Sequence, residues 1–246
     1  MQTEYHRWWS PNLNQDMELK VYGHYGRHLL VFHCQGGRFF EFEDFQMIAA
    51  VAGFIDSGRV KVFTVDSVDS QSCANWNAHP ADRARRHEDY DRYIIHEVVP
   101  FIHKHCAHQS SQIITTGCSM GAYHAGNFYF RHPDVFNCAI VISGLFQLRM
   151  FMGDYSDDNV YFNSPLAYLP GLNDPWFLDR YRNGQIIIAA GQGAWEDAML
   201  ADAYAMQQIL SQKNIPHWVD IWGSDVNHDW PLWRKMLPYF LEKINP

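Results

Sequence analysis

Paired cysteines, membrane-length apolar runs and an excess of basic charge are all missing from this chain of 246 residues. The five cysteines are scattered without paired spacing, which favours reduced thiols over a disulfide framework. The longest apolar runs are strand-sized and too short to cross a bilayer. A net charge of −8 argues against a nucleic-acid partner, because phosphate binding needs a basic surface. The sequence therefore predicts neither a membrane nor a nucleic-acid partner.

The remaining composition is that of a globular protein rich in aromatic side chains. Apolar residues make up 47% and charged residues 19% of the chain, and its length suits one sizeable core. We therefore predict a single domain over residues 1–246. The polar N-terminus lacks the apolar region of a signal peptide, so we expect a cytoplasmic location. The oligomeric state is left open, with a homo-oligomer among the alternatives.

Short β-branched or apolar runs alternate with longer amphipathic stretches along the chain. We predict strands at residues 60–65, 112–116 and 185–190 among others, and helices at 39–54 and at 80–105, the latter kinked at Pro100. This alternation indicates βαβ units, and so a mostly parallel sheet with helices on both faces. Residues 145–182 are irregular and rich in aromatics, and we predict a small insert there that serves as a cap or pocket wall.

Ligands of such sheets bind beyond the carboxyl ends of the strands, and the sequence GCSMG follows the predicted central strand there. It matches the G-x-S-x-G elbow, a sharp strand-to-helix turn that exposes the Ser119 hydroxyl above the sheet. Gly117 and Gly121 flank the serine because a Cβ would collide at so tight a turn. The following helix points its N-terminus at the serine and favours developing negative charge. We predict Ser119 as the nucleophile.

A nucleophilic serine needs a base and an orienting acid, which in this fold follow it in the order serine, acid, histidine. A loop carrying Glu196 and Asp197 follows the strand at 185–190, and His228 follows the last predicted strand. We predict His228 as the general base. Glu196 is the candidate acid, and Asp197 is the alternative.

The oxyanion of such a reaction needs two backbone N–H groups. One is predicted at Met120, the residue after the nucleophile. The other is expected in the loop after the apolar run 29–32, where paired glycines let the backbone approach a substrate oxygen. We favour the N–H of Gly37, with Gly36 and Arg38 as alternatives.

Four segments, LLVFHCQGG, GCSMGA, GQGAWED and NHDWPLW, resemble an esterase family of α/β-hydrolases. That family includes S-formylglutathione hydrolase (esterase D), enterochelin esterases, feruloyl esterases and the antigen 85 mycolyltransferases. The resemblance extends from about Met17 to Leu241, and is strongest to uncharacterised bacterial esterase-like proteins. It implies an α/β-hydrolase fold, favours Glu196 over Asp197, and places the second oxyanion amide at Gly37. One departure is Gln35-Gly36, where the family usually has His-Gly or Asp-Gly.

Residues in the loops after the strands, including the loop after the strand at 60–65, are predicted to contact substrate: Gln35, Trp76, Trp195 and Trp230. By contrast, His103 and His105 are two residues apart on a predicted helix and do not share a face. No second ligand pair has zinc spacing. We therefore predict no metal site and no cofactor, and we interpret Cys118 as a small core residue.

Taken together, these residues predict a serine esterase acting on a small-molecule ester through an acyl-enzyme. An acyltransferase would use the same intermediate with an alcohol or amine in place of water. A non-catalytic binding protein of the same fold is the second alternative, and a missing member of the set Ser119, His228 and Glu196 would indicate it.

Overall fold

Within the part of the chain that the structure describes, eight strands form one sheet. The computed structural model describes residues 1–106 and 112–246 of the chain. The strands are β1 Thr3–Ser10, β2 Gln15–Tyr22, β3 Arg27–Phe32, β4 Val60–Val65, β5 Ile113–Cys118, β6 Phe136–Ile142, β7 Gln185–Ala190 and β8 Trp218–Ile221. Their order across the sheet is β1-β2-β4-β3-β5-β6-β7-β8. β2 runs antiparallel to β1 and β4, and every other neighbouring pair is parallel. The predicted mostly parallel sheet is confirmed.

Helices cover both faces of this sheet. Alternate residues of the central strands enter two separate cores, with Ile113 facing one and Ile114 the other. The helices are α1 Glu41–Asp44, α2 Met47–Ala50, α3 Ala52–Asp56, α4 Pro80–Tyr93, α5 Val99–His105, α6 Met120–Arg131, α7 Arg149–Met152, α8 Asp158–Phe162, α9 Pro165–Tyr168, α10 Pro175–Asn183, α11 Asp197–Gln212 and α12 Trp230–Ile244. Helices α4, α5, α6 and α11 contribute to the first core, and α2, α3 and α12 to the second.

The structure divides two predicted helices. The one expected at residues 39–54 consists of α1, α2 and α3, and Gln46 between α1 and α2 has a left-handed φ of 60°. The one expected at 80–105 is interrupted by a π-helical turn at Ile94–Val98, just before Pro100. Proline lacks the N–H that would donate to residue 96, and its ring crowds that carbonyl, so the wider turn accommodates it.

Two further elements complete the description. Strand β1 is an addition to the sequence prediction, and the segment 145–182 contains the short helices α7 to α9 and most of α10. Among the described residues, no helix combines the length and the apolar character that crossing a bilayer requires. The carboxyl ends of β3, β5, β7 and β8 lie at one edge of the sheet, which brings the loops singled out in the sequence together.

Candidate active site

Ser119 lies between β5 and α6 in a strained backbone conformation. Its φ of 57° and ψ of −120° are rare for a residue with a side chain. A Cβ on Gly117 would collide with the Gly121 backbone, and a Cβ on Gly121 with the Phe32 carbonyl. The glycines therefore allow α6 to start directly against β3, as the G-x-S-x-G pattern predicts.

His228 reaches Ser119 from the loop between β8 and α12. Its Nε2 lies 2.8 Å from the Ser119 Oγ, and its Nδ1 lies 2.9 Å from the Glu196 Oε1. The His228 N–H donates to the Ala194 carbonyl at 3.0 Å, which ties the histidine loop to the loop that carries Glu196. The Trp233 ring packs edge-on against the imidazole, with ring centroids 4.9 Å apart. The structure thus brings together the three residues predicted from their order in the chain.

Glu196 is fully buried and uses both carboxylate oxygens. Oε1 accepts from His228, and Oε2 accepts from the Gly191 N–H at 3.1 Å. An ionised carboxylate can only accept hydrogen bonds, and both of its oxygens have a neighbouring N–H or ring nitrogen here. Asp197, the alternative acid, is exposed and is the first residue of α11. Of the two neighbouring carboxylates, only Glu196 contacts the histidine.

These contacts favour one tautomer of the imidazole. Because the Glu196 carboxylate can only accept, the Nδ1 of His228 carries the proton and donates it. Nε2 is then the unprotonated nitrogen, and it accepts the hydrogen bond from the Ser119 hydroxyl. A serine hydroxyl held against an unprotonated ring nitrogen is set up to lose its proton when it attacks an electrophile.

A small cavity of about 60 Å³ opens beside the Ser119 hydroxyl. Its lining is mostly apolar and consists of Gln35, Ser119, Met120, Tyr123, Ser143, Leu145, Met150, Phe151 and Met199. The sequence prediction included the first three of these residues. Ser143 directly follows β6, so the rule about strand ends could have identified it. Met150 and Phe151 lie in the aromatic segment, but nothing in their local pattern sets them apart from their neighbours.

The loop after β3 presents Gln35 rather than Gly37 to this cavity. The Gly37 N–H, our predicted oxyanion donor, donates to the Cys34 carbonyl at 3.0 Å and closes a turn. Gly37 also packs against the Glu41 side chain, on the side where a Cβ would be. Met120, the other predicted donor, lines the cavity together with Gln35.

The three predicted tryptophans have different surroundings. Trp76 is exposed at the rim, with its ring stacked on Phe151 at a centroid distance of 6.1 Å. Trp195 is 84% exposed and lies outside the cavity lining. Trp230 does not reach the cavity, because it is buried between Phe45 and Trp233 in the core under α12. The structure gives Trp230 packing contacts, and its contact with substrate stays a prediction.

Cys118 precedes the serine and points away from the cavity. It is fully buried in the second core, and burial raises the pKa of its thiol well above the ordinary value. A thiol that resists ionisation is a poor nucleophile. This agrees with the interpretation of Cys118 as a core residue.

Comparison with known proteins supports the same interpretation of the chain. The family model described as "Putative esterase" matches residues 10–244. No curated protein sequence matches the chain.

Several solved structures resemble this one over their whole length. A ferulic acid esterase aligns with a TM-score of 0.77 and 17% identity, covering 99% of this chain and 97% of that one. The S-formylglutathione hydrolase FrmB of Staphylococcus aureus aligns at 0.72 and 16%, covering 100% and 97%. MPT51 (FbpC1) of Mycobacterium tuberculosis aligns at 0.73 and 12%, covering 100% and 98%. The predicted α/β-hydrolase fold is confirmed.

Proposed function

Because the chain belongs to the Putative esterase family, and so is a hydrolase of the carboxylesterase type, we propose that it cleaves carboxylic esters through an acyl-enzyme on Ser119. The observation that carries this proposal is the continuous hydrogen-bond chain from Ser119 through His228 to Glu196. These contacts support one chemical role for each member of the chain.

Ser119 attacks the ester carbonyl as its proton passes to the Nε2 of His228. The imidazolium that forms is stabilised by the buried Glu196 carboxylate, which the Gly191 N–H holds in place. The same Nε2–H then protonates the leaving alcohol, and the acyl group stays on Ser119. Water repeats the cycle with His228 as its base and releases the acid. The strained backbone of Ser119 keeps its hydroxyl pointing at the cavity through both steps.

The carbonyl oxygen gains negative charge in each tetrahedral intermediate and needs donors already aimed at it. We assign one donor to the N–H of Met120, at the positive end of α6. We assign the second to the loop Cys34–Gly37. An N–H of Gln35 is the better candidate there, because Gln35 lines the cavity, whereas the Gly37 N–H already donates to the Cys34 carbonyl. Gly37 would take part only if that turn opened.

The cavity beside Ser119 suits a short acyl group. Its volume of about 60 Å³ corresponds to roughly two water molecules, whereas a cavity of about 150 Å³ is known to hold benzene. By that comparison, an acyl group of about two or three carbons fits without moving the side chains that line the cavity. The ring of Phe151 and the side chains of Leu145 and Met199 are part of its lining.

A p-nitrophenyl ester series from acetate to decanoate tests both parts of the proposal. We expect wild type to release a burst of nitrophenol, and Ser119→Ala to release none while keeping its fold. We expect kcat/KM to fall at least tenfold between butyrate and octanoate. Phe151→Ala should shift the preference toward longer chains. Phe162→Ala is the matched control, since Phe162 lies in the same segment but is exposed and outside the cavity lining.

The outcomes separate the two parts. Unchanged turnover in Ser119→Ala would overturn the acyl-enzyme on this residue. A burst in wild type with kcat/KM rising toward decanoate would support Ser119 as the nucleophile. It would also overturn the assignment of a short acyl group.

A further inference from the structure

A cluster of two histidines and one glutamate lies on the side of the molecule away from Ser119. Glu4 and His6 are two residues apart on β1, so their side chains point to the same face of the strand. His105 comes from the last turn of α5, which packs across that face. His105 therefore meets Glu4 and His6 from a different element. The spacing of histidines along α5 alone could not predict this contact.

Three potential ligand atoms converge in this cluster. The Nε2 of His105 lies 2.9 Å and the Nε2 of His6 lies 3.2 Å from the same oxygen, Glu4 Oε2. All three atoms lie within 4.8 Å of one another. Donors around a tetrahedral zinc ion, each at about 2.0–2.1 Å from the metal, are about 3.3 Å apart. A dication at the centre would thus need only small side-chain rotations.

Aromatic rings hold the two imidazoles in place. The His6 ring packs edge-on against Phe101 at a centroid distance of 4.9 Å, and His105 contacts both Phe101 and Phe63. The three side chains of the cluster are partly buried, between 17% and 29% exposed. An ion from solvent can therefore reach the site, while the rings limit the freedom of its ligands.

The kinds of donor decide which ions can bind. Two imidazole nitrogens and one carboxylate oxygen suit zinc and its neighbours in the first transition series, whereas calcium and magnesium require oxygen ligands.

We propose that Glu4, His6 and His105 bind a transition-metal dication of the Zn²⁺ class, with solvent at the fourth position. Four strand spacings, roughly 19 Å, separate β1 from the strand that leads to Ser119. Glu4 and His6 also precede the residues that the family model matches. The site is therefore independent of the ester chemistry. Its effect is structural, since the metal joins the edge strand β1 to the end of α5.

Cobalt(II) is the probe for this proposal, because its visible absorption reports the number and type of ligands. Tag-free, chelator-treated protein is titrated with Co²⁺, and Zn²⁺ is then used to displace it. We expect one equivalent per chain, without the thiolate-to-cobalt charge-transfer absorption that binding to a cysteine would give. His6→Gln and His105→Gln, which can still donate to Glu4, should weaken binding at least tenfold. The exposed His103 lies on the same helix, and His103→Ala should bind like wild type.

Thermal unfolding supplies a second readout. Saturating Zn²⁺ should raise the unfolding temperature of wild type and of His103→Ala, and leave that of His105→Gln unchanged. If His105→Gln does not fold, Glu4→Gln removes the carboxylate from β1 instead. Wild type that takes up no cobalt, or glutamine variants that bind it as tightly as wild type, would overturn the proposal.

Discussion

Two adjacent carboxylates after β7 have opposite surroundings, although both lie in the loop where the sequence predicts the acid. Glu196 is fully buried, with one oxygen on the His228 imidazole and the other on the Gly191 N–H. Asp197 is exposed at the start of α11. The order of residues along the chain predicts which loop supplies the acid. It cannot predict which side chain turns inward, because that depends on how the loop packs against the histidine loop.

This contrast gives a prediction with an internal control. Glu196→Gln keeps the size of the side chain but removes the charge, and its amide can donate to Nδ1 and so favour the wrong tautomer. We expect ester kcat to fall roughly 10³–10⁴-fold, the scale seen when a triad acid becomes an amide. Asp197→Asn should stay within about threefold of wild type. Steady-state hydrolysis of a short-chain ester measures both, and equal losses in the two variants would contradict the proposed role of Glu196.

At the scale of elements, the turn from β5 into α6 is the feature that the sequence predicts best. Its determinants are local: a β-branched strand, two glycines and a helix of small and aromatic residues. The stretch 39–54 is less predictable, because its apolar spacing fits one helix while the left-handed Gln46 breaks it. Strand β1 is hidden from pattern analysis, since its inward face carries Glu4 and His6 as well as Trp8.

Close packing of α6 on β3 predicts the effect of a single methyl group. Gly121→Ala would press a Cβ into the carbonyl groups of Phe32 and His33, so α6 must move away from the sheet. We expect the free energy of unfolding to fall by about 1–3 kcal/mol. We also expect ester turnover to fall, because Ser119 moves relative to His228. Urea unfolding and hydrolysis rates measure the two effects.

Gly53 offers a matched control for this substitution. It lies inside α3, and a Cβ there meets nothing within 4 Å. Gly53→Ala should therefore stabilise the protein slightly, by about 0.4–1 kcal/mol. Equal effects of the two alanine substitutions would mean that the contact between α6 and β3 is looser than the structure shows.

Over the whole molecule, sequence patterns predict what depends on a strand or helix alone, and miss what several elements build together. The parallel sheet and the three residues at strand ends are of the first kind. The cavity beside Ser119 is of the second kind, because it combines residues that follow β3, β5 and β6 with others from α7 and α11. A buried polar cluster is also of the second kind, because its members come from different elements: His87 from α4, His124 from α6, and Asp69 from the segment after β4.

His87 in this buried group should make the stability of the whole fold sensitive to mild acid. It is 1% exposed, and burial, together with the neighbouring His124, lowers its pKa to about 4. A histidine in the unfolded chain has a pKa of about 6.5. Between the two pKa values the unfolded chain therefore binds a proton at this histidine and the folded chain does not. Stability must then fall as the pH falls from about 6.5 toward 4. The size is about 2 kcal/mol between pH 7 and pH 5.

The carboxylates around His87 lose their contribution at lower pH and do not obscure this window. The pKa values of Asp69, Glu88 and Asp91 are lowered in the fold, so their stabilisation is lost only below the unfolded values near 4. Comparing wild type with His87→Gln by urea unfolding at pH 7 and pH 5 isolates the contribution of this histidine. His87→Gln should lose about 2 kcal/mol less than wild type over that interval, because glutamine does not titrate. The exposed His24 is the control, and His24→Gln should match wild type. A loss of stability in His87→Gln as large as that in wild type would place the proton uptake elsewhere in the molecule.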